Sequence, residues 1–351
     1  MLPLVTLAVT TLNRTKFLEE TFGFVLAQDY PNLEILVSDN GSSDTTPLIT
    51  KALVGSDPRV RLRRNETTIP LHEHFTQCVQ AARGEYFILL HDDDHINSSF
   101  VTEVVAVATR HPDVNVVVPA NVMMDEEGNV IKEYAKPAAD VFDGASFVSD
   151  WLYCKAPHIL IDVTTMLMRT DTIRRFGGYQ CLEGGRNVDN LLFLQCAITS
   201  RVGFAEKATF YWRSYDASYG SRATPEVIAN SGRAFRRHLR RDPETKRALA
   251  ALPPSSRTRI LRGVREINIG ELLYHMRSQE RASRLRTART MLLSGRKDPI
   301  FFCVVLCKFL ARVPHIIGYR FCKVMRRWLA LPRGLVKAKS GSGVAKVTPR
   351  G

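Results

Sequence analysis

Apolar and polar positions in the first hundred residues alternate between short apolar runs and segments with helical spacing. The runs at residues 4–9, 33–37, 60–62 and 86–90 are predicted as strands. The segments at residues 14–27, 42–53 and 73–82 are predicted as helices, the second capped by Ser42 or Ser43. The continuous apolar run at 86–90 suits a strand that is covered on both faces. This alternation predicts an α/β fold with an open, doubly wound, mostly parallel central sheet.

The pattern continues less regularly toward the C-terminus. Residues 97–110 are predicted as a helix, 114–119 as a strand and 125–129 as a turn, whereas residues 140–220 mix helices and short strands. From residue 225 onward, arginine-rich helical stretches dominate, and the sequence ends in the polar stretch KAKSGSGVAKVTPRG. We therefore expect a domain at 1–225, a basic helical region at 226–335 and a flexible tail at 336–351.

Charge is divided unevenly along the chain of 351 residues, which has a net charge of +14. Residues 1–231 carry 20 basic and 29 acidic side chains, whereas residues 232–351 carry 29 basic and 6 acidic ones. An acidic body with a basic C-terminal region argues against a uniformly basic nucleic-acid binder. Residues 299–331 mix apolar and basic side chains, which is typical of an amphipathic helix at a membrane surface. The alternative is a helix that packs its apolar face on the rest of the protein.

Cysteine spacing and hydropathy indicate the cellular compartment of the protein. The seven cysteines form no C-x-x-C pair and no metal-binding spacing with histidine, which fits reduced thiols in the cytoplasm. The apolar start MLPLVTLAVTTLN has no basic leader and no small-residue cleavage site, so we interpret it as the first strand. The sequence has no run of about 18 apolar residues, so no membrane-spanning helix is predicted.

Two acidic clusters follow predicted strands. Asp39 follows the run at 33–37, and Asp92, Asp93 and Asp94 follow the run at 86–90. In open α/β sheets, ligands bind outside the carboxyl ends of the strands. Three adjacent carboxylates repel one another unless a cation or donors neutralise them, and such hard oxygen ligands suit Mg²⁺ or Mn²⁺. The alternative is that these aspartates only cap the helix that starts near Asn97.

Four sequence segments, in order along the chain, carry a resemblance to a known family. They are Thr11-Leu12-Asn13-Arg14, EILVSDNGSSDTT at 34–46, ARGEYFILLHDDD at 82–94, and Asn187-Val188-Asp189. Over about residues 3–220 the chain resembles the family 2 glycosyltransferases with the GT-A fold. The resemblance implies a catalytic domain with a nucleotide-sugar half at about 1–120 and an acceptor half at about 121–225.

The resemblance also implies roles for residues on the nucleotide side. Thr11, Asn13 and Arg14 would lie in the loop against the nucleotide, and Asp39 would accept a hydrogen bond from the base. Arg213 lies in YWRSYDASYGS, which resembles the segment that closes over the diphosphate in the family. An arginine there would donate two hydrogen bonds to phosphate oxygens.

The metal motif of the family is Asp-x-Asp at the end of the fourth strand. Counted from Gly84, its aspartates would fall on positions 91 and 93, and position 91 is His91 in this chain. Asp93 is then the predicted metal ligand, with Asp92 on the ribose or in the metal shell. The alternative register uses Asp92 and Asp94.

Asp189 matches the catalytic base of the family. In that role it would deprotonate the acceptor hydroxyl during a single inverting displacement at the anomeric carbon. The alternative is that Asp189 caps the apolar helix that begins there.

The sequence thus predicts a metal-dependent glycosyltransferase that uses a UDP- or dTDP-sugar, with hexose or deoxyhexose as the transferred sugar. The acceptor is expected to be a glycan or a lipid-linked hydroxyl in cell-surface polysaccharide synthesis, at the cytoplasmic face of an anionic membrane. No nucleic-acid partner is expected. Two alternatives are a catalytically inert membrane or nucleic-acid binding protein on the same scaffold, and a sugar-phosphate nucleotidylyltransferase. A nucleotidylyltransferase would be expected to have a glycine-rich phosphate loop after strand one. This chain has Thr11-Leu12-Asn13-Arg14 there, which contains no glycine.

Overall fold

The computed structural model describes residues 1–55, 57–153, 164–183, 185–216 and 223–265. The chain divides into two compact units, Met1–Leu293 and Ser294–Gly351. The second unit lies wholly outside the described residues, as do the predicted amphipathic stretch at 299–331 and the predicted tail at 336–351.

Ten strands within the described residues form one sheet. They are β1 (Val5–Thr11), β2 (Leu33–Asp39), β3 (Val60–Arg64), β4 (Tyr86–His91), β5 (His95–Ile96), β6 (Val114–Met124), β7 (Val130–Glu133), β8 (Val141–Asp143), β9 (Leu167–Arg169) and β10 (Arg201–Arg213). Their order is β3-β2-β1-β4-β9-β6-β10-β5, with β7 beside β6 and β8 beside β10. Strands β3, β2, β1 and β4 are parallel to one another, and so are β6 and β10. The predicted open sheet with a parallel centre is confirmed.

Helices cover both faces of this sheet. They are α1 (Thr15–Leu26), α2 (Thr46–Val54), α3 (Leu71–Ala81), α4 (Phe100–Arg110), α5 (Gly144–Leu152), α6 (Thr170–Arg175), α7 (Val188–Ala197), α8 (Pro225–Arg241) and α9 (Pro243–Ala251), and residues 254–265 are also helical. The predicted start of α2 at residue 42 is wrong. The Ser42 N–H donates to Asp39 and the Ser42 hydroxyl accepts from the Asn13 N–H, so residues 40–45 form a loop before the helix.

The continuous apolar run of β4 is explained by packing on both faces. Phe87 and Leu89 belong to one hydrophobic cluster, whereas Tyr86, Ile88 and Leu90 belong to the other. Successive side chains of a strand point to opposite faces, so a strand between two layers of helices needs apolar residues at every position.

The first helix of the predicted basic region packs into this same core. Ala234, Phe235 and Leu239 of α8 are buried in the cluster that contains Phe87 and Leu89. The predicted boundary near residue 225 therefore falls inside the unit Met1–Leu293. Where a separate C-terminal region begins stays a prediction.

Gly84 lies where β1 and β4 begin to pair, and its backbone is too crowded for a side chain. A Cβ at this position would lie 2.5 Å from the Thr6 nitrogen and 2.6 Å from the Tyr86 oxygen. Because these sheet atoms cannot move aside independently, Gly84→Ala is expected to lower the free energy of unfolding by about 2–3 kcal/mol in urea denaturation. Gly23 in α1 has no atom within 4 Å of such a Cβ. Gly23→Ala is the matched control and is expected to raise stability by about 0.5–1 kcal/mol. Equal effects of the two changes would contradict this account.

Candidate active site

The loops that follow β1 and β2 are joined at the carboxyl edge of the sheet. The Asn40 N–H donates to the Thr11 carbonyl (2.9 Å), and the Asn13 N–H donates to the Ser42 hydroxyl (2.9 Å). The Ser43 N–H donates in turn to the Asn13 side-chain oxygen (2.8 Å), and Asn13 itself has a positive φ of 51°. Asparagine is one of the few residues that adopt this backbone conformation at low cost. The two loops therefore form one rigid wall.

Asp39 ends β2 at the base of this wall and is completely buried. Its Oδ1 accepts the Ser42 N–H (2.9 Å), and its Oδ2 accepts a hydrogen bond from Arg64 (2.5 Å). The second guanidinium nitrogen of Arg64 donates to the Ser42 carbonyl (2.7 Å). The carboxylate of Asp39 is thus fixed in position and carries a partly exposed arginine beside it.

The three consecutive aspartates after β4 point to different partners. Asp93 Oδ2 accepts hydrogen bonds from the Arg14 guanidinium and from the Tyr215 hydroxyl (2.7 Å). Asp94 Oδ1 accepts the backbone N–H of Arg213 (2.9 Å). Among the residues that the structure describes, no three histidine, cysteine or acidic side chains are arranged to hold a metal ion. The triple aspartate therefore does not act as one cluster.

Asp92 is the most perturbed carboxyl group of the site. Its side-chain Oδ2 is buried and has no hydrogen-bond partner. Burial and the neighbouring Asp93 charge raise the pKa of Asp92 to about 7, against the opposing effects of Arg14, the Thr11 hydroxyl and the Leu12 N–H. An unpaired buried oxygen is costly, so a ligand hydroxyl or a cation that reaches Asp92 gains this interaction.

The carboxylate oxygens of Asp92 and Asp93 would hold a hard divalent cation only if a bound ligand supplied further oxygens. Asp93 has a side chain that is 14% exposed, and Asp92 has the unpaired oxygen. Mg²⁺ and ions like it are commonly held in enzymes by one or two carboxylates together with substrate phosphates. Asp93 and Asp92 match that pattern, whereas Asp94 is engaged by the backbone of Arg213.

The guanidinium of Arg213 is almost fully enclosed, with a side chain that is 1% exposed. It donates to the carbonyls of Asp93 (3.0 Å) and Glu126 (2.5 Å) and to the Glu20 carboxylate (2.9 Å), and it contacts His95 Nε2 at 2.8 Å. These contacts connect the aspartate loop at Asp93 to Glu126 and to Glu20 of α1.

Tyr215 is a site residue that sequence reasoning missed. Its hydroxyl contacts both Asp93 and Arg14, and its ring packs edge-on against Phe17 at 5.4 Å. Tyr215 lies two residues after Arg213, and the period of two in an extended chain would have placed both on one side. That spacing is the only local signal for it.

Asp189 lies in the first turn of α7 and is partly exposed. Its Oδ1 accepts the Asn190 N–H (2.9 Å), and its Oδ2 accepts the Thr164 hydroxyl (3.1 Å). The helix cap is Asn187, which has a positive φ of 62°. The alternative that Asp189 is the capping residue is therefore wrong.

A row of packed rings joins the end of β4 to the neighbourhood of Asp189. The ring of Phe75 lies 5.3 Å from that of His91 and 5.2 Å from that of Tyr179. Burial raises the pKa of Tyr179 well above its ordinary value, and the Asp189 charge adds to the effect. His91 is held by a hydrogen bond between its Nδ1 and the Thr10 hydroxyl (3.2 Å). The ring contacts thus lead from His91 at the end of β4 to Tyr179, which lies close enough to Asp189 to be affected by its charge.

The chain is similar to glycosyltransferases in sequence. The family model described as Glycosyl transferase family 2 matches residues 6–151. The GalNAc(5)-diNAcBac-PP-undecaprenol beta-1,3-glucosyltransferase of Campylobacter jejuni is 30% identical over 139 residues, which are 38% of this chain and 43% of that protein. The matches span 26%, 43% and 43% of the length of three curated relatives, so the chain covers less than half of each.

The chain is also similar to solved structures. S. aureus TarS 1-349 in complex with UDP aligns with a TM-score of 0.62 at 17% identity, covering 93% of this chain and 91% of that one. Mannosyltransferase PcManGT from Pyrobaculum calidifontis, in complex with GDP-Man and Mn²⁺, aligns with a TM-score of 0.52 at 15% identity, covering 86% and 83%. At these identities the likeness establishes the fold, and the predicted GT-A fold is confirmed.

Proposed function

Residues 6–151 belong to glycosyl transferase family 2, and from this premise we propose that the chain transfers a sugar from a nucleotide-diphosphate sugar to an acceptor hydroxyl. The observation that carries the proposal is the meeting of three strand ends. The loops after β1, β2 and β4 are connected by Asn13–Ser42, Asn40–Thr11 and Arg14–Asp93 contacts at the carboxyl edge of parallel strands. That edge is where open α/β sheets bind nucleotides.

The donor nucleotide is assigned to the wall formed by the first two loops. Asp39 is a buried acceptor at a fixed position, suited to the N–H of a uracil or thymine base. Thr11, Asn13 and Arg14 line the adjoining loop, and Asp92 offers its unpaired oxygen to a ribose hydroxyl. A UDP- or dTDP-sugar is therefore the proposed donor, in keeping with the UDP and UDP-GlcNAc complexes of the similar TarS structures.

The proposed cofactor is Mg²⁺ or Mn²⁺, held by Asp93 with Asp92 beside it. When bound, the ion would neutralise charge on the leaving diphosphate. Arg14 already neutralises Asp93 in this structure, and Tyr215 fixes the same carboxylate oxygen. On donor binding, Arg14 would exchange its contact with Asp93 for the phosphates.

Arg213 is assigned a different role from the diphosphate contact that the resemblance implied. Its guanidinium donates to Asp93, Glu126 and Glu20 and is almost completely enclosed. We place it as a positioning residue, because an arginine with these partners would have to leave them before it reached a phosphate.

Asp189 is the proposed catalytic base, and the proposed reaction is a single inverting displacement. Its carboxylate accepts the proton of the acceptor hydroxyl while the acceptor oxygen attacks the anomeric carbon. The bond from that carbon to the diphosphate oxygen breaks, and the nucleoside diphosphate leaves with its electron pair.

The proposed acceptor is a glycan or a lipid-linked hydroxyl in cell-surface polysaccharide synthesis. The C. jejuni relative is named for an undecaprenol-linked substrate. Five exposed basic side chains lie on α8 and α9, namely Arg237, Arg240, Arg241, Lys246 and Arg247. Such residues are attracted to anionic headgroups, so we propose a peripheral position at the cytoplasmic membrane face. Across the described ranges, no helix is both long and apolar enough to cross a membrane.

The donor site is tested by binding. Thermal shift with a panel of nucleotide-sugars and Mn²⁺ is expected to show stabilisation by at least one donor. Asp39→Asn should weaken that donor about tenfold or more, because one acceptor in a charge-assisted hydrogen bond becomes an amide.

Asp171 provides the matched control, because it is exposed on α6. Asp171→Asn should bind the donor like the wild type. No shift with any donor, while the protein binds DNA or anionic vesicles, would instead support an inert binding protein on this scaffold.

A further inference from the structure

The two oxygens of the Asp189 carboxylate are held from opposite directions. The Asn190 N–H binds Oδ1 from within α7, and the Thr164 hydroxyl binds Oδ2 from a separate segment. We propose that Thr164 is a positioning residue that orients Asp189 toward the acceptor hydroxyl. This inference rests on the proposed role of Asp189 as the base.

Thr164 is buried and lies shortly before a strand of the central sheet. It is 9% exposed and lies three residues before β9, whose Met168 pairs with both Phe87 of β4 and Val116 of β6. A β-branched side chain has few rotamers, so a threonine at the entry to a central strand presents its hydroxyl in one direction.

The helix that carries Asp189 is fixed independently of β9. The Asn187 side chain donates to the Ser231 hydroxyl (3.2 Å), and Ser231 donates to the Arg186 carbonyl (2.6 Å). Ser231 belongs to α8, so the start of α7 is attached to a third element. The Thr164–Asp189 hydrogen bond therefore joins two parts that are anchored separately, and small misplacement of either would turn the carboxylate.

The two hydrogen bonds leave the Asp189 carboxylate able to accept a proton. A carboxylate oxygen has more than one lone-pair site, so Oδ1 and Oδ2 can each accept a proton while they keep their present partners. With both oxygens held, the carboxylate plane is fixed before the acceptor arrives, which is the condition for efficient proton transfer in a displacement.

The test compares three variants of the full chain. Thr164→Val removes the hydroxyl at nearly constant shape, and Thr164→Ser retains it. Thr165→Val is the matched control, because Thr165 is completely buried and its hydroxyl has no partner. Steady-state release of nucleoside diphosphate from the donor found by thermal shift gives kcat and KM, and melting temperatures report folding.

We expect Thr164→Val to lower kcat about tenfold with an unchanged donor KM, since the lost hydrogen bond involves a charged acceptor. Thr164→Ser should keep kcat within about twofold, and Thr165→Val should match the wild type. In an Asp189→Asn background, Thr164→Val should cause no further loss, because a positioning residue acts only through the base.

Two results would overturn the inference while leaving the proposed function intact. One is a wild-type kcat in Thr164→Val, and the other is a loss in Thr164→Val that persists at full size in the Asp189→Asn background. A wild-type chain that releases nucleoside diphosphate from no donor would instead reject the proposed function itself.

Discussion

Replacing Asp189 by asparagine is expected to lower kcat for nucleoside diphosphate release by about 10²–10⁴-fold, the usual contribution of a general base. Asparagine keeps the size of the side chain. Its oxygen can accept the Asn190 N–H and its NH₂ group can donate to the Thr164 hydroxyl, so both contacts and α7 should survive. Asp189 hydrogen-bonds to Thr164 and Asn190, and neither belongs to the loops after β1 and β2, so donor affinity should be unchanged. The measurement is single-turnover release at saturating donor together with a donor titration.

Asp150→Asn is the control for this change. Asp150 is half exposed on α5 and pairs with Arg259, which belongs to none of the strand-end loops. Its replacement should leave kcat within about twofold, as is usual for surface changes. An Asp189→Asn variant with wild-type kcat would show that another group accepts the proton.

Replacing Asp93 by asparagine should lower activity by about 10²–10³-fold and raise the concentration of Mn²⁺ needed for half-maximal rate. The loss follows because Asp93 is the partly exposed carboxylate of the triple aspartate and the partner of Arg14. The measurement is rate against Mn²⁺ concentration at fixed donor.

Asp94→Asn decides between the two registers of the metal motif. Asp94 accepts a backbone N–H from Arg213, and the amide oxygen of asparagine can accept that same hydrogen bond. Its Mn²⁺ dependence should therefore stay near that of the wild type. The reverse outcome, with a large shift in Asp94→Asn and none in Asp93→Asn, would favour the register that uses Asp92 and Asp94.

The strands of the sheet could be predicted because the residues within each strand indicate it. Residues 86–90 indicate β4 through unbroken apolar character, and residues 33–37 indicate β2 with Glu34 as the one charged residue in an apolar run. The intervening segments show helical spacing. Parallel order then places Asp39 and Asp93 at one edge. The meeting of the loops after β1, β2 and β4 thus follows from pattern and topology alone.

The finer geometry depends on contacts between residues far apart in the chain. The loop at 40–45 delays α2 because Asn13 and Asp39 occupy the Ser42 backbone and hydroxyl. Arg213 is basic in the sequence, yet the structure buries its side chain, and its guanidinium donates to Glu20, which is 193 residues away in the chain. The Thr164–Asp189 pair likewise joins two separate segments, and no periodicity signals it.

The most direct test of the account is one paired measurement on the wild type and Asp189→Asn. Nucleoside diphosphate release and donor affinity are followed with UDP-, dTDP- and GDP-sugars in the presence of Mn²⁺. We expect the wild type to bind and turn over at least one UDP- or dTDP-sugar, and Asp189→Asn to bind the same donor equally well without turning it over. Equal turnover by both proteins, or donor binding by neither, would contradict it.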